Sequence, residues 1–131
     1  MPTFDVNLLA VLIASLAYFG LGALWYGPLF GQKWTAAMGL NPDDMMSAKQ
    51  NYAITFVAIL VLAFLLAGHV KGAADMSQSL LTAFWLWLGF VATSGTINAV
   101  WDTRGWSVFG INQGFHLVGM LISALILALW K

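Results

Sequence analysis

Four long stretches of this 131-residue sequence carry no charged side chain and consist mostly of apolar residues. A helix that crosses a bilayer needs about 20 such residues, so the stretches predict spans at about 6–26, 50–70, 79–101 and 110–130. Each run is continuous, whereas the strands of a membrane barrel alternate apolar and polar residues over about 10 positions. The pattern predicts an all-α, polytopic membrane protein, a single domain over 1–131 with four transmembrane helices in an antiparallel bundle.

The sequence as a whole has too few charged residues for a soluble fold. Hydrophobic residues make up 61% of the sequence and charged residues 8%, whereas a soluble domain carries roughly 25% charged residues. A water-soluble globular domain and a disordered chain are therefore both excluded. The formal net charge is zero, so we expect contact with the lipid bilayer and none with nucleic acid.

Residues that carry chemistry are scarce. The sequence has no cysteine, and its predicted spans contain no acid, lysine or arginine. No HExxH, P-loop or GxSxG motif occurs. Because catalysis usually needs positioned titratable groups, we expect no enzyme activity, no catalytic residues, no metal site and no cofactor.

The connection after the first span has two helical signals. Pro28 ends the first helix, and Phe30, Trp34 and Met38 recur every four residues, which predicts a short interfacial helix. The run Asn41-Pro42-Asp43-Asp44 combines a favoured N-cap, a proline and two carboxylates. This combination predicts that the second helix begins near Pro42 and accounts for the paired acids.

Basic residues near the membrane edges predict an orientation. Lys33, Lys49 and Arg104 fall on one side, and Lys71 and Lys131 fall on the other. The positive-inside rule then places the loop after the first span (loop 1) and the loop after the third span (loop 3) in the cytoplasm. We expect the first span to be retained rather than cleaved as a signal peptide, because one acid and no base precede it. Aromatic residues near the predicted span ends are interpreted as interfacial anchors: Trp25, Tyr26, Trp34, Trp101, Trp106 and Trp130.

The strongest polar stripe lies on the fourth helix, where side chains recur at intervals of four, three and four residues: Asn112, His116, Gly119 and Ser123. Such spacing places them on one helical face, which we expect to meet protein rather than lipid. Gly110 and Gly114 form a GxxxG pair that permits close helix packing. Two other helices carry faces suited to receive the stripe. The first helix offers Tyr18 and Gly22 on one stripe. On the third helix, Gly89, Thr93 and Thr96 line one face, and Ser94, Asn98 and either Trp101 or Asp102 line another.

Two further features allow both a structural and a functional interpretation. Asp102 and Arg104 are close enough to form an ion pair at the membrane edge, or to act as a gate or anion contact. His116 is either a hydrogen-bonded packing residue, a proton relay, or a metal or haem ligand. His69 lies at the opposite end of the membrane, roughly 20 Å away in depth at 1.5 Å per residue, so a bis-histidine haem within one chain is not expected.

Several short motifs together resemble a known family. They are the run 25–31 with Trp34, the pair 89–90, Asn98 with Trp101 and Arg104, and Ile111-Asn112 with Gly114. These residues resemble the bacterial domain of unknown function 1761 family, and the resemblance extends over nearly the whole chain. It implies a small four-helix protein of the bacterial inner (cytoplasmic) membrane with no established activity, and it implies no catalytic or binding residues.

Two functional hypotheses remain. The first is a non-catalytic accessory protein that self-associates through helices 1, 3 and 4 or joins a larger membrane complex. The second is a small transporter or binder of a neutral or lipid-like molecule at an oligomer interface. Four spans resemble the small multidrug resistance transporters, but those carry a glutamate in the first helix, and residues 8–18 contain no acid here.

Overall fold

The computed structural model of the chain describes residues 5–39, 49–102 and 106–130. It confirms an all-α protein with four packed helices that are long and apolar enough to cross a membrane. We number these spans 1 to 4 in chain order: Leu8–Leu29, Asn51–Val70, Met76–Trp101 and Trp106–Leu129. The predicted helix start at 41–44 and the predicted partner Arg104 lie outside the described residues.

Regular α-helix covers most of these spans and one segment between the first two. The α-helical segments are Leu8–Leu24, Gly31–Met38, Lys49–Val70, Met76–Leu86, Thr93–Trp101 and Trp106–Leu129. A wider π-helical turn, Trp87–Ala92, joins the two halves of span 3, and a kinked segment, Trp25–Leu29, ends span 1.

Side-chain caps begin two of the spans. Asn7 accepts hydrogen bonds from the backbone N–H groups of Leu9 and Ala10 at 3.0 and 3.3 Å. Asp75 accepts one from the N–H of Gln78 at 2.9 Å. These bonds pair N–H groups that lack a partner within the first turn of a helix. Polar residues directly before the helices thus determine where spans 1 and 3 start.

Span 4 is the central helix of the bundle and contacts the other three spans. Span 1 packs against spans 2 and 4, and the first half of span 3 packs against span 4. Small residues line these contacts and are almost fully buried: Ala10, Ala14, Ala63, Ala67, Ala83 and Ala124. Small side chains let helix backbones approach closely, which is how helices associate where lipid removes the hydrophobic driving force.

The chain turns sharply at the end of span 1. Regular α-helix ends at Leu24, Gly27 adopts non-helical dihedral angles, and Pro28 follows directly after this kink. A side chain at position 31 is excluded, because its Cβ would lie 2.5 Å from the backbone oxygen of Tyr26. The predicted short helix then runs from Gly31 to Met38 and ends at Gly39, whose φ of 71° favours glycine.

Candidate functional site

A buried tyrosine and a half-buried histidine join spans 1 and 4 near the middle of the bundle. The Tyr18 hydroxyl and Nδ1 of His116 are hydrogen-bonded at 2.6 Å, and Tyr18 is fully buried. The Tyr18 ring also meets Phe115 edge to face, with centroids 5.2 Å apart. Both partners of this hydrogen bond belong to the predicted set of polar residues, and the structure brings them together.

Gly119 provides the space that the Tyr18 ring occupies. A Cβ atom at position 119 would lie 2.7 Å from two carbon atoms of that ring. Gly114 has a similar relation to Trp25, at 3.1 Å, and Gly22 to Phe115, at 3.3 Å. Three of the predicted packing glycines therefore each accept an aromatic ring from the neighbouring span. A Cβ atom added at Gly89 or Gly110 would have no described atom within 4 Å, so neither glycine packs closely against the described residues.

Asn112 accepts two hydrogen bonds, one from the C-terminal end of span 1 and one from the short helix that follows it. Its Oδ1 atom accepts from the Tyr26 hydroxyl at 2.7 Å and from the indole N–H of Trp34 at 3.0 Å. An amide oxygen has two lone pairs, so these bonds use its full acceptor capacity. Asn112 thereby attaches the short helix Gly31–Met38 to span 4.

Two more tryptophans donate to backbone oxygens of span 4. The indole N–H of Trp25 donates to the carbonyl of Ile111 at 2.8 Å, and that of Trp87 donates to the carbonyl of Gln113 at 3.0 Å. These contacts use the second lone pair of carbonyls within the helix. Span 4 is thus held in its first half by indoles from span 1 and span 3.

Three of the predicted interfacial anchors have internal partners in the structure: Trp25, Tyr26 and Trp34. Trp87 and Gln113 are not among the residues that the sequence pattern singled out. One signal could have indicated them, since a half-buried indole or phenol needs an acceptor for its polar tip. The first half of span 4 provides such acceptors, namely the Asn112 side chain and the carbonyls of Ile111 and Gln113.

A small polar cleft opens between the second half of span 3 and the first turns of span 4. Its volume is about 170 Å³. Its polar lining consists of Asn98, Asp102, Asn112 and Gln113. Three of these four were predicted as polar contacts, and the fold brings them to one place. The Gln113 Oε1 atom is buried and has no hydrogen-bond partner among the described residues.

Ser123, the last member of the predicted stripe, lies deeper in the bundle than the cleft. It is fully buried, and its hydroxyl has no hydrogen-bond partner among the described residues. Ser79 of span 3 has the same two properties. In the described part of the chain, no group of three His, Asp or Glu side chains is placed to hold a metal ion. The site is therefore a set of hydrogen bonds between helices with a polar cleft at one end.

Removal of the Tyr18 hydroxyl tests the hydrogen bond to His116. We expect Tyr18→Phe to lower the free energy of unfolding by about 1 kcal/mol, because Nδ1 of a half-buried histidine loses its partner while the ring packing is kept. Thermal unfolding in mild detergent measures this change. Thr55→Val is the control, because Thr55 is exposed and its hydroxyl donates to the carbonyl of Asn51 within its own helix. A Tyr18→Phe variant that matches the wild type would contradict the prediction.

The chain matches one known protein family over most of its length. The family described as "Protein of unknown function (DUF1761)" matches residues 9–128. No curated protein and no solved structure matches the chain.

Proposed function

We propose that this chain, which belongs to the DUF1761 family, is a non-catalytic membrane protein that assembles with a second copy of itself through span 3. Its role is that of an accessory or interaction protein in the inner (cytoplasmic) membrane of a bacterium, with loops 1 and 3 in the cytoplasm. The excess of Lys33, Lys49 and Arg104 over Lys71 and Lys131 supports that orientation.

The low burial of span 3 carries the proposal. Only 6% of its most apolar window is buried, against 28% to 33% in the other three spans. Its second half, Thr93–Trp101, contains no buried residue. Large side chains project from this segment and the turn before it, including Phe90 at 70% exposure and Ile97 at 63%. Span 3 is therefore the part of the bundle with the most surface left for another protein.

One exposed serine on span 3 favours protein over lipid as its neighbour. The hydroxyls of Thr93 and Thr96 donate to carbonyls of the π turn, those of Gly89 and Ala92, at 2.8 Å. Ser94 is exposed and forms no hydrogen bond with the described residues. A hydroxyl without a partner in lipid is unfavourable, and serine side chains commonly bond across helix interfaces. We define the pairing face as Phe90, Thr93, Ser94 and Ile97.

Spans 1 and 4, the other helices considered for self-association, use their polar stripes within the chain. Tyr18 and Gly22 contact His116, Phe115 and Gly119 of the same molecule. The proposal therefore moves the pairing face to span 3 alone, where a Cβ atom added at Gly89 would meet no described atom within 4 Å. A partner of identical sequence supplies the same small and hydroxyl-bearing side chains from its own span 3.

Cysteine cross-linking tests this pairing directly, because the natural chain has no cysteine. We expect Ile97→Cys to form a disulfide-linked dimer on mild oxidation in native membranes. Val57→Cys on span 2 is the matched control, since Val57 is 58% exposed and also lies near the loop 1 and loop 3 end of the bundle. Equal dimer formation by both variants, or by neither, would refute pairing through span 3. An adduct of larger mass at Ile97→Cys would instead indicate a different protein partner.

The second candidate function, binding or transport of a small molecule, is favoured by one observation. The polar cleft is lined by Gln113, whose buried amide oxygen has no hydrogen-bond partner in the part of the chain that the structure describes. Native mass spectrometry from gentle detergent separates the two functions. A dimer without retained small molecule supports assembly alone, and a retained molecule that is lost in cleft variants supports binding.

A further inference from the structure

A groove of about 390 Å³ opens at the end of the bundle where span 2 is connected to span 3. It is bounded by residues around the start of span 1 and by the ends of spans 2 and 4. Its walls are mainly apolar, and four of the side chains that form them are buried: Ala10, Ala67, Val70 and Leu127. Because water gains little from such walls, the groove suits an apolar chain.

Two charged side chains lie at the rim of this groove, Lys71 and Asp5. The Lys71 ammonium is 3.6 Å from a carboxylate oxygen of Asp5, and the side chain of Lys71 is 42% exposed while that of Asp5 is fully exposed. This distance is longer than that of a hydrogen bond, and exposed ion pairs contribute little to stability. The three N–H donors of Lys71 can therefore bind another anion in place of Asp5.

The depth of these groups in the membrane matches the layers of a phospholipid. Lys71 directly follows Val70, the last residue of span 2, and Trp130 directly follows Leu129, the last residue of span 4. Lysine and tryptophan at the end of a span are suited to the headgroup layer. Ala67 lies about 6 Å deeper than Lys71 at 1.5 Å per residue, which is where acyl chains begin. A phosphate at Lys71 is thus followed directly by the apolar walls of the groove.

We propose that this groove binds one phospholipid, with its phosphate at Lys71 and the upper part of an acyl chain between spans 1, 2 and 4. Asp5 is the competing anion, which pairs with Lys71 until a phosphate displaces it. The proposal does not depend on pairing through span 3, because the groove is formed by the other three spans.

A comparison of lipids with and without a phosphate tests the proposal. Delipidated full-length protein is mixed with phosphatidylglycerol and diacylglycerol of identical acyl chains, and the first lipid bound per chain is identified by native mass spectrometry. We expect the wild type to retain phosphatidylglycerol about fivefold better, which is the upper end of what one exposed ion pair provides. Glycerol phosphate, titrated by calorimetry, distinguishes a lipid from a free phosphate compound. Binding of glycerol phosphate without a preference for phosphatidylglycerol would overturn the lipid as the occupant.

Two substitutions at the rim are expected to act in opposite directions. Lys71→Gln should reduce the preference to about one, whereas Asp5→Asn should raise it above the wild-type value, because the competing carboxylate is removed. Each has a matched control that is expected to leave the preference unchanged. Lys33→Gln removes an exposed lysine at the other end of the bundle. Asp75→Asn removes an exposed carboxylate at the same end, and asparagine can still cap span 3.

The controls distinguish the groove from the general surface charge. Equal retention of the two lipids by the wild type would refute the proposal. An equal loss of preference in Lys71→Gln and Lys33→Gln would also refute it, as would an equal gain in Asp5→Asn and Asp75→Asn. Because all four side chains are exposed, we expect each variant to fold like the wild type.

Discussion

Gly119→Val is expected to be the most destabilising single substitution considered for this protein. Its Cβ would lie 2.7 Å from the Tyr18 ring, and Tyr18 is fully buried, so the ring has no free space into which it can move. Forcing additional atoms into a packed core costs about 1–3 kcal/mol. We expect a loss near the upper end of that range, about 3 kcal/mol, because the Tyr18–His116 hydrogen bond is displaced at the same time.

Gly110 provides the control for this prediction. It lies on the same helix as Gly119, but none of the atoms that the structure describes lies within 4 Å of a Cβ atom added there. Gly110→Ala is expected to leave stability unchanged or to raise it by up to about 1 kcal/mol, because alanine favours helix over glycine. Unfolding by heat and by sodium dodecyl sulfate, followed by circular dichroism, compares Gly119→Ala, Gly119→Val and Gly110→Ala. Similar midpoints for the two alanine variants would contradict the close packing of Tyr18 on Gly119.

Asn112→Leu is expected to have the second largest effect, because one amide oxygen serves two donors. Its loss leaves the Tyr26 hydroxyl and the Trp34 indole without their acceptor. Hydrogen bonds between membrane helices are worth about 0.6 kcal/mol on average and at most about 1.7. The loss of two such bonds predicts a decrease of about 1–3 kcal/mol in the free energy of unfolding.

The structural consequence of this substitution is local and can be measured separately. The helix Gly31–Met38 is attached to span 4 through Trp34, so its backbone amides are expected to exchange hydrogen faster in Asn112→Leu than in the wild type. Asn98→Leu serves as the control, because Asn98 is exposed and forms no hydrogen bond with the described residues. Unchanged exchange in residues 31–38 of Asn112→Leu would show that Trp34 does not depend on this acceptor.

The two donors to Asn112 can also be removed one at a time. Tyr26→Phe and Trp34→Phe each delete one hydrogen bond, and their combination with Asn112→Leu forms a double-mutant cycle. If both bonds exist, each donor variant costs less in the Asn112→Leu background than in the wild type. Full additivity would argue that Asn112 contacts neither side chain.

Much of the fold was predictable because a bilayer imposes strict rules. Spans without charge, bounded by residues such as Pro28, Asp75 and Asp102, can satisfy their backbone hydrogen bonds only as helices. The short helix at Gly31–Met38 was predicted from the spacing of Phe30, Trp34 and Met38. The stripe on the fourth helix predicted a face that meets protein, and Asn112 and His116 both have partners on or beyond span 1.

The partners of that stripe could not be predicted in the same way. Helical periodicity shows which residues share a face, but it contains no information on which neighbouring helix faces them or at what height. The GxxxG pair is an example: Gly114 packs against Trp25, while no described residue packs closely against Gly110. Likewise, a tryptophan near a span end suits the interface as well as an internal acceptor, and only the packing distinguishes the two.

The sequence by itself determined that this chain has four membrane helices, roughly where each of them lies, and that they contain no acid, lysine or arginine. Each of these follows from local properties, since hydrocarbon excludes charge and a helix pairs its own backbone groups. Only the tertiary structure decided that Tyr18 reaches His116, that Asn112 holds two aromatic donors, and that span 3 remains exposed. These features depend on the relative rotation and height of helices, which are set by the packing of many side chains at once.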